Sequence, residues 1–215
     1  MRIDFVSDVV CPWCAIGLHS LEIALERLGP DFPVELHFQP FELDPGTPPE
    51  GKDLTEYLCS KYGLTPEQVD RNQEAIRQRG EAVGFTFRMD RRTRSYNTFD
   101  CHRLLHWAGL VDPDAQRRLQ HLLFAAYFTE GENPGERAVL LRAAAEAGLD
   151  EAEAARVVDQ GLYAEEVRER QRYYQEAGIQ AVPGVVVNER HLISGGQPPD
   201  VFERALRQIA AAENA

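Results

Sequence analysis

Two cysteines three positions apart, in the run Cys11-Pro12-Trp13-Cys14, carry the clearest chemistry in this 215-residue chain. Thiols at this spacing can close a disulfide or resolve a mixed one, and the thiolate is the reactive form of cysteine. The alternation Ile3-Asp4-Phe5-Val6 reads as a strand just before them, and a helical pattern runs on from near Ile16. A strand therefore delivers the thiols to the first turn of a helix, where N–H groups lack intrahelical partners and carry partial positive charge. A thiolate at Cys11 is stabilised there, with Cys14 one turn on to resolve it. Pro12 suits the first helical position, where a missing N–H costs nothing. Trp13 sets a large apolar surface beside the sulfurs, so Pro12 and Trp13 are candidate substrate contacts. A structural zinc site needs four ligands, commonly a second cysteine pair, and Cys59 and Cys101 stand alone. A purely stabilising bridge is equally poor, because so short a loop removes little chain entropy. The pattern is that of a redox dithiol, with no metal.

The elements that must position this dithiol follow from the hydrophobic pattern. Leu18, Leu21, Leu25 and Leu28 mark one face of the helix, which Gly29-Pro30 ends. Val34, Leu36 and Phe38 alternate with Glu35 and His37 as a second strand, so the opening is β-α-β. Such a crossover favours a parallel pair. Pro40 to Gly51 is a loop. From Asp53 to Gly178 helix signals dominate: Thr65-Pro66-Glu67-Gln68 is a capping box with proline at N1, Asp112-Pro113 opens another helix, Gly148 closes one, and Asp150 with Glu153 starts the next. Phe85-Thr86-Phe87 is the one brief strand-like segment there. After Gly178, Gly184 to Val187 is a strand, Asn188-Glu189 a turn, Arg190 to Ile193 the returning strand, and Ser194-Gly195-Gly196 a further turn. Val201, Phe202, Ala205, Leu206 and Ile209 form one face of a final helix. Neither end can cover its apolar faces alone, so one sheet must join both. The expected architecture is α/β: residues 1–52 with 179–215 as one discontinuous domain, and 53–178 as a large all-helical insertion whose last helix packs back on the sheet.

Composition is that of an ordinary globular protein, with 43% hydrophobic and 27% charged residues. A formal charge of -12 argues against nucleic acid or an anionic membrane as partner. No stretch reads as a signal region or a membrane span. A cytoplasmic protein is expected, where a C-x-x-C is catalytic more often than structural. Cys59 and Cys101 are expected to be buried apolar thiols.

Val182-Pro183 precedes the third strand, and X-Pro bonds are the ones for which cis is cheap. The segments Ser7-Asp8-Val9-Val10-Cys11-Pro12-Trp13-Cys14, Asn97 to Leu104, Phe124 to Gly131 and Val182-Pro183 through Pro198 span nearly the whole chain. Together with the β-α-β start, helical insertion and β-β-α finish, they resemble the DsbA-like branch of the thioredoxin superfamily, closest to its FrnE-like, cytosolic dithiol–disulfide oxidoreductases. The resemblance implies a thioredoxin-like fold, a cis bond at Pro183 packed against the dithiol, and Val182 offering backbone groups to a bound polypeptide or thiol. It implies that Cys11 is the nucleophile and Cys14 the resolving thiol. The extra cysteine pair of some members is not reproduced.

Weaker candidates surround these. Asn97 and His102 fall in a family-like segment and are expected near the cleft, as is Gln197, which is equally a turn residue. His102 and His106 share a helix face without further metal ligands. His19 lies one turn beyond the thiols, and Asp8 would oppose a thiolate if close. The leading function is a thiol–disulfide oxidoreductase, of oxidase or isomerase type, acting through a mixed disulfide on protein or small-molecule thiols and disulfides. No cofactor is expected, with glutathione or another thiol as redox partner. The alternative is a glutathione-dependent isomerase or kappa-like glutathione transferase, which shares the resemblance but typically carries Ser at the nucleophile position. A third reading, a chaperone-like binding module, leaves two reactive thiols without purpose.

Overall fold

The computed structural model describes residues 1–213; the last two residues of the expected terminal segment lie outside the described residues. The chain opens with β1 (Arg2–Ser7), α1 (Pro12–Leu28) and β2 (Glu35–Pro40), and β1 and β2 pair in parallel from Arg2↔Glu35 to Ser7↔Pro40. It then runs through β3 (Lys52–Asp53), α2 (Leu54–Tyr62), α3 (Pro66–Glu81), β4 (Arg94–Ser95), α4 (Phe99–Val111), α5 (Pro113–Phe128), α6 (Arg137–Glu146), α7 (Glu151–Asp159) and α8 (Ala164–Glu176). The sheet is completed by β5 (Gly184–Val187) and β6 (His191–Ser194), and α9 (Pro199–Glu213) follows. Strand order is β2-β1-β5-β6, with β5 antiparallel to both of its neighbours. Both ends of the sequence thus contribute to one α/β sheet, and the helices α2 to α8 enter between them.

β1 is buried on both faces, as a central strand covered on both sides must be. Ile3 and Phe5 point into a core shared with Leu18 and Leu21 of α1, Val185 and Val187 of β5, and Phe202 and Leu206 of α9. On the opposite face Val6 packs with Tyr174 of α8 and Ile179, so α8 closes the second side of the sheet. A separate core joins α4, α5, α6 and α7 through Leu104, Trp107, Leu119, Leu123, Leu140 and Val157. The outer edge strand β2 is covered by Gln116 of α5: its side-chain amide accepts from Phe38 N–H at 3.4 Å and donates to Phe38 C=O at 3.5 Å and Leu105 C=O at 3.0 Å. Such an edge would otherwise expose unpaired backbone groups.

Local signals explain most helix boundaries. Thr65 and Gln68 make the reciprocal capping box, and Asp112 and Asp150 accept from the first turns of α5 and α7. The first helix begins at Pro12, the first helical position expected for it, with Cys11 at the N-cap. Two expectations are corrected. Phe85-Thr86-Phe87 is not a strand: the two rings turn inward and stack edge-on at 4.7 Å, against Phe128, so burial rather than ladder pairing produced the apolar alternation. The insertion does contain strand pairing, between Lys52-Asp53 and Arg94-Ser95, too short to leave a period-two pattern. Asn188 and Glu189 both take positive φ, 49° and 57°, as the two central residues of the turn in which Arg190 N–H donates to Val187 C=O. Among the described residues no helix is long and apolar enough to cross a membrane.

Candidate active site

The thiols sit where β1 gives way to α1. Cys11 N–H donates to Asp8 C=O at 3.1 Å, and Cys11 C=O accepts from Cys14 N–H at 3.0 Å and Ala15 N–H at 3.3 Å. Cys11 has extended backbone as N-cap, and its side chain makes no cap hydrogen bond to the first turn of α1. Both thiols are free, and Cys11 is 3% exposed while Cys14 is fully buried. Burial, and then the neighbouring Cys11 thiol, push the Cys14 thiol well above its ordinary pKa.

The loop before β5 completes the arrangement. The Val182–Pro183 bond is cis, and the Cys11 thiol donates to Val182 C=O at 3.7 Å. Two glycines allow this approach. A Cβ on Gly17 would lie 3.0 Å from Pro183 Cγ, and one on Gly196 would lie 2.8 Å from the Trp13 carbonyl oxygen. The Ser194-Gly195-Gly196 turn and the first turns of α1 therefore pack backbone to backbone, with no room for side chains.

A cavity of about 830 Å³ opens beside the dithiol, within the size range of small-molecule sites. Cys11, Pro12, Trp13 and Val182 line one side, and Tyr57, Tyr62, Val69 and Ile76 of α2 and α3 line the other. Trp13 is 39% exposed at the rim and lies 5.9 Å from the Arg79 guanidinium. Asp8 also borders the cavity; its Oδ2 accepts from Leu43 N–H at 2.7 Å, while Oδ1 faces His102 Nε2 at 3.4 Å.

The structure brings Cys11, Cys14, Pro12, Trp13, Val182 and Pro183 together. The other candidates fall elsewhere. Asn97 does not line the cavity: its Nδ2 donates to Thr47 C=O at 3.2 Å and its Oδ1 accepts from Phe99 N–H, which fixes the entry to α4. Gln197 donates to Ser194 C=O at 2.7 Å, the turn role open to it from the sequence. His102 is buried behind Asp8. His106 is half-buried against Tyr163. His19 stacks on His121 at 4.8 Å and packs against Phe85. Cys101 is buried as expected, its thiol donating to Pro134 C=O and its pKa pushed up by burial, whereas Cys59 is only half-buried because α2 is an outer helix. The sequence reading missed Tyr57, Tyr62 and Arg92 in the cavity wall; the signal available was the apolar pair Val69 and Ile76, seven apart on α3, which marks the face that α3 turns inward.

Among the described residues, His19, Glu22 and His121 bring potential metal-ligand atoms within 4.8 Å of one another. Glu22 is already engaged there by His121 at 2.8 Å and Arg117 at 2.6 Å, and the two imidazoles lie only 17° from parallel. Stacked rings hold their in-plane lone pairs in near-parallel planes, which do not converge on one ion.

A β-α-β unit with a helix N-terminal thiol pair, a cis proline facing it and a β-β-α close defines a thioredoxin-type protein. Residues 2–207 match the DSBA-like thioredoxin domain, and the chain belongs to that family of thiol–disulfide oxidoreductases. It is 28% identical to the Bacillus subtilis protein YwbO over 207 residues, covering 96% of each chain. The crystal structure of a probable DsbA oxidoreductase from Streptomyces coelicolor superposes with a TM-score of 0.88 at 32% identity, over 97% of this chain and 89% of that one. The fold is also that of the cytosolic disulfide reductase DsbM from Pseudomonas aeruginosa, solved with glutathione: TM-score 0.67, 18% identity, over 98% of this chain and 100% of that one.

Proposed function

We propose that this protein exchanges thiols and disulfides through Cys11 and Cys14, as an oxidase or isomerase working in the cytoplasm. The observation that carries this reading is the Cys11 thiol at the N-cap of α1, 3.7 Å from the Val182 carbonyl and opening on the apolar cavity. In the reductive direction the Cys11 thiolate attacks one sulfur of a substrate disulfide; that S–S bond breaks and one thiolate leaves. Cys14 then attacks the Cys11 sulfur, the mixed disulfide breaks, and the second thiolate leaves as the Cys11–Cys14 bond forms. The substrate gains two electrons and the protein pair loses them; the oxidative direction is the reverse. Burial of Cys14 shields it from outside disulfides and leaves it to act on the neighbouring Cys11 sulfur. Pro12, Trp13, Val182 and Pro183 would form the substrate contacts.

Glutathione is a reasonable redox partner, since DsbM of the same fold was solved with it. A glutathione isomerase or transferase is less well supported, because that chemistry makes no use of a second thiol at Cys14. The test is the reduction potential of the pair in glutathione buffers, read by Trp13 fluorescence or thiol trapping, with Cys14→Ser as control. A reversible couple between about −120 and −200 mV is expected for an oxidant or isomerase. A value near roughly −270 mV would make it a reductant, and no reversible couple would return the glutathione reading.

A further inference from the structure

This inference rests on the dithiol reading and concerns which disulfides the cleft accepts. The cations and anions around the cavity are not evenly matched. Glu42 is paired with Arg168, and Asp44 with Lys52. Asp8 Oδ2 accepts from Leu43 N–H and its Oδ1 faces His102 Nε2 at 3.4 Å, and among the described residues no arginine or lysine nitrogen lies within 4.0 Å of either oxygen. Arg92 lines the same cavity at 6% exposure, and among the described residues no carboxylate lies within 4.0 Å of its guanidinium. A buried charge without a counter-charge is costly, and such groups are ordinarily paired.

The partners Arg92 does have are neutral. Its Nε donates to Tyr127 Oη at 3.2 Å, its Nη2 reaches Val10 C=O at 3.5 Å, and its guanidinium carbon lies 5.3 Å and 5.1 Å from the Tyr127 and Phe128 ring centroids. A guanidinium carries five N–H donors in a planar fork, so most of its capacity remains open. The contact with Val10 holds the fork beside the residue that immediately precedes Cys11. On another part of the wall Lys61 donates to Leu43 C=O and Tyr57 Oη and likewise has no carboxylate within 4.0 Å among the described residues. In a chain of net charge -12, this cavity offers two cations that the protein does not neutralise itself.

We propose that Arg92 is the anion anchor of the cleft, and that the preferred substrates are low-molecular-weight disulfides whose carbon chain carries a carboxylate a few atoms from the attacked sulfur. Lys61 is the outer cation of the same subsite. A bidentate carboxylate on the Arg92 fork restores the charge balance that the folded chain lacks and fixes the disulfide for attack by Cys11.

The experiment uses the full chain, reduced, with three small disulfides: dithiodipropionate (anionic), cystamine (cationic) and hydroxyethyl disulfide (neutral). Each rate is divided by that of dithiothreitol with the same disulfide, which removes leaving-group differences. Dithiodipropionate is expected to exceed both of the others by about tenfold or more, the effect of one charge-assisted contact. Arg92→Gln and Arg92→Met should bring the anionic-to-neutral ratio toward one, Arg92→Lys should keep much of it, and Lys61→Gln should lower it less. Arg92→Gln retains a donor for Tyr127, and the wild-type ratio alone stands independent of any variant's folding. Reaction with all three probes at a wild-type ratio near one, or a ratio that survives Arg92→Gln, overturns the anchor while leaving the dithiol reading intact. No reaction with any probe overturns both.

Discussion

Asp8 Oδ1 and His102 Nε2 face each other 3.4 Å apart, both sealed from solvent and neither with a hydrogen-bond partner among the described residues. The pair sits directly behind the dithiol, and the Asp8 carboxylate adds to the effects of burial and of Cys11 that hold the Cys14 thiol up. Asp8→Asn removes that charge while its side-chain oxygen can still accept from Leu43 N–H. The expected result is a Cys14 thiol that ionises at lower pH, seen by the ultraviolet absorbance of the thiolate across a pH titration. Because burial and Cys11 hold the Cys14 thiol well above its ordinary pKa, the rise in reduction potential should show only as the pH is raised into the range where that thiol ionises. An unchanged Cys14 titration would mean that the carboxylate is screened from the sulfurs.

Gln116 binds Phe38 on both of its backbone groups and also donates to Leu105 C=O, so one amide holds α5, α4 and the edge of the sheet together. Gln116→Leu should cost about 1–3 kcal/mol by leaving buried backbone groups without partners. Gln116→Glu should cost more, because a carboxylate cannot donate to either carbonyl. Urea midpoints at neutral pH check both.

Gly196 has no room for a methyl group, since a Cβ there would meet the Trp13 carbonyl oxygen at 2.8 Å. That oxygen is backbone within the dithiol turn and cannot rotate away. Gly196→Ala should therefore destabilise the protein by about 1–3 kcal/mol and shift the Trp13 emission. Gly46, whose nearest Cβ contact would be an ordinary 3.5 Å to Asp44, is the control. Gly46→Ala should stay within about 0.5 kcal/mol of wild type.

The two ends of the chain were legible because their signals are local. Alternation marks β1 and β2, a β-branched run marks β5, Asn188-Glu189 marks the hairpin, and Cys11 and Cys14 name their own chemistry. The far wall of the cleft was not, since it forms only when α2 and α3 dock over the dithiol. Tyr57 and Tyr62 lie on a short helix whose pattern shows no strong apolar face. Arg92 was hidden among Arg88, Arg91 and Arg94, all of which read as surface charge. Three of them do find ordinary partners: Asp90 for Arg88, Glu130 for Arg91, and the Glu50 and Gly51 carbonyls for Arg94. Nothing in the local sequence distinguishes the fourth, because its burial depends on Tyr127 and Phe128, more than thirty residues away.

His19 links the thiol-bearing helix to α5, and it makes stability depend on pH in a definite direction. Burial first, and then the neighbouring His121, hold its pKa below the ordinary value of about 6.5. The unfolded chain therefore takes up a proton at His19 before the folded chain does. Stability is complete above the unfolded pKa and falls as pH drops below about 6.5, until the folded imidazole also titrates. Glu22 acts in a lower window. Burial raises its pKa, but hydrogen bonds and charge from His121 and Arg117 outweigh that and keep the carboxyl below the usual range. Its contribution is present above the unfolded carboxyl pKa and is lost as pH falls through the folded one. His19→Phe keeps a ring against Phe85 and His121 without the titration. Urea midpoints between about pH 7 and 5 should decline less steeply in that variant than in wild type, while the fall below about pH 4.5, which belongs to Glu22 and other carboxylates, should persist. Parallel curves across the upper window would show that His19 is as easily protonated folded as unfolded.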